Sequence, residues 1–154
     1  MSPSPITPVD PPNDSPEYDV EDIVIAYLAG FGLVPDGHVA ARIPENMVLP
    51  WVLVTRVAGG DDWIVDYATV QVDSFHGDQT AASTLARAVH HQMRQMRPQL
   101  TVELPSGRQA KIYRYATHQT PIYVPWEPEG GGLIMSRYVG VYELDVRLPS
   151  IPGY

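Results

Sequence analysis

Residues 51–75, WVLVTRVAGGDDWIVDYATVQVDSF, decide the fold. Trp51 to Ala58 is a β-rich run, Gly59-Gly60-Asp61-Asp62 supplies turn chemistry, and Trp63 to Phe75 resumes as a second strand, so the stretch predicts a β-hairpin. In the second strand Ala68, Val70 and Val72 alternate with Thr69, Gln71 and Asp73. Successive side chains of a strand point to opposite faces, so one face meets a core and the other meets water or a partner.

Helical periodicity flanks the hairpin on both sides. Upstream, Val20, Ile23, Val24, Tyr27, Leu28 and Phe31 recur at the spacing that puts all six on one helix face. Asp19 is the expected N-cap, Tyr18 and Ile23 form a hydrophobic staple, and Gly30 or Gly32 ends the helix. Downstream, Ala82, Leu85, Ala86, Val89, Met93 and Met96 give a second helix over 79–97, stopped by Pro98. Three further strands are expected, Gln109 to Ala116, Ile122 to Trp126 and Arg137 to Leu148, with Glu127 to Gly132 a loop between the last two. In the last strand Tyr138, Tyr142, Leu144, Val146 and Leu148 share a side opposite Arg137, Glu143, Asp145 and Arg147. The order α-β-β-α-β-β-β is an α+β class with two main helices on one face of an antiparallel or mixed sheet.

The 154 residues fit one domain, residues 19–154, preceded by an arm of residues 1–18. That arm mixes Pro, Ser, Asp and Asn with few large aliphatics and cannot bury enough surface to offset its ordering entropy, so disorder is expected there. The formal charge is −8, but residues 1–41 hold seven acids and no Lys or Arg, which leaves the remainder at 11 acids against 10 bases. A chain-wide basic footprint for duplex DNA is therefore lacking. At 44 % hydrophobic and 18 % charged the composition supports a packed core. No stretch approaches the length of a bilayer span and no export signal stands at the start, so a soluble, unsecreted protein without a membrane partner is expected. With zero cysteines, disulfides, thiolate metal sites and cysteine nucleophiles are excluded.

The remaining residues offer little catalytic chemistry. His90 and His91 are adjacent and diverge by about 100° on a helix, so they cannot chelate one metal from that element. Asp66 and Asp73 are seven residues apart on one strand, hence on opposite faces. Gly130-Gly131-Gly132 lacks the Lys-Ser or Lys-Thr of a phosphate cradle, and neither a Gly-x-Ser-x-Gly elbow nor a His-Glu-x-x-His pair occurs. The expectation is a non-enzyme with no cofactor and no metal. Arg87, His91 and Arg94 form a basic ribbon on the second helix, which reads as a solvated face or as a contact with an acidic surface, a neighbouring copy or a passing nucleic acid.

The stretch Pro50 to Met93, PWVLVTRVAGGDDWIVDYATVQVDSFHGDQTAASTLARAVHHQM, resembles the tail terminator proteins of long-tailed, non-contractile bacteriophages, particularly those of actinobacterial hosts. The likeness lies in a Pro-led strand ending in Arg-Val-x-Gly-Gly, a strand carrying Val-Gln-Val-Asp, a short Gly-containing turn and an Ala-rich helix. It covers about residues 19 to 149; the Pro-rich arm is outside it. The resemblance implies a virion protein of the tail or neck, assembled in the host cytoplasm as a homomeric ring, commonly a hexamer. Such a ring binds the last ring of tail tube protein, halts polymerisation and presents a surface to the head-completion or connector protein. On this reading Arg56, Asp66, Asp73, Glu143, Asp145 and Arg147 are expected at contacts between copies, and Arg87, His91 and Arg94 face the channel or a partner, meeting DNA by phosphate charge alone. The alternatives are another neck protein (head-closure or tail-completion), a small metal-dependent nuclease using Asp66, Asp73 and a histidine, and an unrelated binding domain.

Overall fold

The expected hairpin forms two neighbouring strands of a six-stranded sheet in a computed structural model, which describes residues 19–62, 64–105, 107–126 and 135–147. The order is α1 (Val20–Ala29), β1 (Val39–Ala40), β2 (Trp51–Asp61), β3 (Val65–His76), α2 (Gln79–Met93), β4 (Leu100–Glu103), β5 (Gln109–Tyr123) and β6 (Ser136–Arg147). The six strands line up β1-β2-β3-β6-β5-β4, antiparallel except for the β1–β2 pair. This is the α+β class, with both helices on one face. The arm 1–18, Trp63, the Glu127–Gly132 loop and Leu148 lie outside the described residues.

Each helix begins on an aspartate. Asp19 accepts the N–H of Glu21 at 3.3 Å and Asp78 that of Ala81 at 2.8 Å, satisfying donors the helix leaves unpaired. From α1, Val20, Ile23, Val24 and Leu28 are buried; from α2, Ala82, Leu85, Ala86, Val89 and Met93 are. They close over Val54, Ala68, Val70, Val72, Tyr142, Leu144 and Val146 in one core. A smaller cluster of Trp51, Phe75 and Met135, joined by Ile43, Leu49 and Trp126, caps one end of the other face.

Four expectations are corrected. The strands expected at Gln109–Ala116 and Ile122–Trp126 are one strand, β5, because β6 pairs along the polar stretch between them with three register shifts. The short strands β1 and β4 were not anticipated. The second helix stops at Met93, and residues to Met96 continue as turns bonded to Gln92 and Met93 carbonyls. Phe31 lies beyond the Gly30 C-cap and is 43 % exposed, so it leaves the apolar face on which periodicity puts it.

The outer margin of β2 is closed in two ways from Val52 to Arg56. β1 pairs with Val52 and Leu53 only, and the next outward-facing donor, the Arg56 N–H, is bonded at 2.7 Å by the Glu21 carboxylate from α1. An edge strand with unpaired donors is a template for another chain, and a helix-borne carboxylate occupies that donor here.

Candidate functional site

Strand parity sorts the expected contact residues onto different faces. Asp66 is opposite Val146 and Arg56 opposite Val70, so both stand on the helix-covered face. There Arg56 grips Asp66 with two parallel hydrogen bonds of 2.6 and 2.7 Å, and Asp66 is only 6 % exposed. The hydrogen bond to Asp66 holds the Arg56 guanidinium still more firmly in its charged form, against the pull of burial. This pair is internal to one copy.

Asp73, Glu143, Asp145 and Arg147 stand on the opposite face, opposite or beside Val139, Thr69, Tyr67 and Val65. Asp73 does not meet water as alternation predicts, because it is 2 % exposed under the end cap of the face. Gln71 donates to it at 2.9 Å and Arg137 at 3.5 Å, while burial raises its pKa above the ordinary carboxylate value. Arg137 also lies 5.0 Å over the Trp126 ring. Asp145 accepts from Arg114 at 2.8 Å on the surface, Glu143 is half-buried and Arg147 is exposed. With Thr55, Thr69, Gln71 and Val141 these make a broad, mixed-charge strand surface that neither helix covers.

Asp66 and Asp73 are thus on opposite faces, each engaged by its own arginine, and cannot converge on one metal from a single chain. Among the described residues no group of three His, Asp or Glu side chains is placed to hold a metal ion, and no helix is long and apolar enough to cross a membrane.

Arg87 and His91 are exposed on α2 and Arg94 at its C-cap, each about one turn from the next. His90 turns inward: its Nδ1 is 2.9 Å from the Tyr142 hydroxyl, and burial, helped by Arg94, lowers its pKa. The two neighbouring histidines therefore sit in different surroundings, His91 in solvent and His90 against Tyr142.

Sequence reasoning missed the hairpin's far end and an apolar groove. Val57 sits at a β-bulge and, with Ile64 and Tyr67, is exposed (49, 64 and 45 %). Gly59 and Gly60, expected in the turn, instead continue β2 opposite Ala68 and Tyr67; beside the bulge Gly59 takes a φ of +111°, and a Cβ there would lie 1.9 Å from the Tyr67 carbonyl oxygen. Asp62 accepts the N–H groups of Ile64 and Val65 and the Tyr67 hydroxyl, which hold its carboxyl below the ordinary range. At the opposite end of the strands Leu33, Pro50, His76, Ala81, Thr84, Leu85 and Ala88 line a groove of about 350 Å³.

No protein-family model matches the chain, and no curated protein matches it either. Among solved structures, a chain described as "Virion of native gene transfer agent (GTA) particle" is similar, with 16 % identity, a TM-score of 0.45, and coverage of 82 % of this chain and 86 % of that one. At that distance the likeness carries no argument about what this chain does.

Proposed function

We propose that the chain is a structural protein of a phage-like virion, and more finely a tail terminator: a ring of identical copies that caps the tail tube, stops its growth and meets the head connector. The observation that carries this reading is the mixed-charge sheet face left uncovered beside the hairpin, turn and helix of residues 50–93, the segment whose sequence resembles that family. A ring uses one patch on each copy against a different patch on the next, with opposite charges setting register and apolar centres giving affinity. Glu143, Asp145 and Arg147 supply charge on the open face, while Asp73 and the Arg56–Asp66 pair fix its shape from within. Arg87, His91 and Arg94 supply a basic stripe on α2 and its C-cap, for a neighbouring copy or for DNA in the channel.

Deleting the gene and imaging lysates by electron microscopy tests the reading. Tails of overgrown length are expected. Normal tails beside leaking heads assign the chain to head closure instead, and normal tails on intact heads refute both.

A further inference from the structure

The groove and the hairpin tip sit at opposite ends of the same two strands. Pro50 and His76 line the groove, whereas Asp61 and Val65 bound the tip, so β2's 11 residues separate them by roughly 30 Å. Within one copy the two never meet. The tip exposes Ile64, with Tyr67 two residues along β3 from its edge, beside two exposed aspartates, Asp61 and Asp62. The groove is lined mainly by apolar side chains and adjoins the basic stripe, since Thr84 and Ala88 lie one helical turn from Arg87 and His91. An apolar knob with an acidic rim thus faces, across the length of the molecule, an apolar hollow whose rim is basic along α2 and carries Asp78 only at the helix start.

We propose that the β2–β3 tip of one copy seats in the groove beside α2 of the next copy, with Asp61 and Asp62 against Arg87, His91 and Arg94. The inference rests on the ring reading and names its contact. Because knob and hollow are different patches, the contact is heterologous and repeats head to tail until rotation closes it. It also commits the basic stripe to a neighbouring copy rather than to DNA. The hollow offers few polar groups to orient a small ligand, which favours a side-chain knob as its occupant.

The chain has no cysteine, so engineered pairs report cleanly. Ile64→Cys and Thr84→Cys variants, both at exposed positions, are mixed and mildly oxidised across a concentration series. A cross-linked dimer in the mixture, absent from either variant alone, is expected, because a disulfide needs its Cα atoms within about 7 Å. The double variant should give a ladder of linked copies. Ile64→Glu should keep the wild-type melting temperature and weaken self-association about ten- to a hundredfold. Rings detected by light scattering with no mixed cross-link overturn the inference and leave the ring reading standing. A wild-type chain monomeric at every concentration, with no cross-link, overturns both. If Arg87→Glu with Arg94→Glu weakens retention of duplex DNA but not self-association, the stripe belongs to nucleic acid and the pairing of rims is wrong.

Discussion

The two faces of the sheet are built from the same strands, one residue out of step. Under the helices β3 and β6 present Ala68, Val70, Val72, Tyr142, Leu144 and Val146, all buried; on the other side they present Thr69, Gln71, Val141, Glu143 and Asp145, all half-buried. The first set has no polar atom except the Tyr142 hydroxyl, which His90 meets, and the second mixes aliphatic, amide and charged groups. The first set holds the fold together. The second leaves the strands a surface on which another molecule can rest, and this division is what a pair of matched substitutions can break.

The largest effect belongs to the covered face. Leu144→Ala should destabilise the chain by about 2–5 kcal/mol in chemical denaturation, through lost burial and the cavity left behind. At the rim of the same face, Asp66→Ala should cost about 1–3 kcal/mol by leaving the Arg56 guanidinium without its two-pronged partner, discounted because Arg56 keeps some access to water. The double variant Arg56→Met with Asp66→Leu should recover most of that loss. If it recovers none, the pair matters for more than its own charges.

Asp73 sharpens the comparison through pH. Its folded pKa is raised, chiefly by burial, so the folded state binds the proton more tightly than the unfolded chain does. The penalty for ionising it is absent below the unfolded value and grows as pH rises through the folded one. Asp73→Asn should therefore gain stability relative to the wild type as denaturation is repeated from about pH 3 to pH 6. A flat difference would mean that Gln71 and Arg137 fully offset the burial. On the open face, Thr69→Lys should shift stability by no more than about 0.5 kcal/mol while weakening ring assembly in light scattering. Unchanged assembly would mean that the open face takes no part in the contact between copies and that the tip and groove close the ring alone.

The central hairpin, both helices and the buried sides of β3 and β6 were legible because strict alternation and helical spacing mark one-sided burial directly. The single long β5 was not, since its middle, Ala116 to Pro121, has no apolar alternation and owes its conformation to β6. Two-residue β1 carries no period at all. Asp73 misled because its polar position in the pattern gives no hint of the Trp51, Phe75 and Met135 cap that shields its face from residues far along the chain. At the candidate site, the charges were readable as residue types, but whether each is spent inside the copy, as Asp66 is, depends on partners that spacing alone does not choose. Val57, Ile64 and Tyr67 read as ordinary strand residues until the bulge and the hairpin end leave them exposed.

The Glu21 carboxylate on the Arg56 amide has a meaning beyond one hydrogen bond. Sheets grow into fibrils when a visiting strand finds a free row of donors, and here a side chain from α1 already sits where that visitor would begin. Crowded together, these molecules have no invitation to zip up along that stretch of the flank, where company is decided by side chains and not by bare backbone.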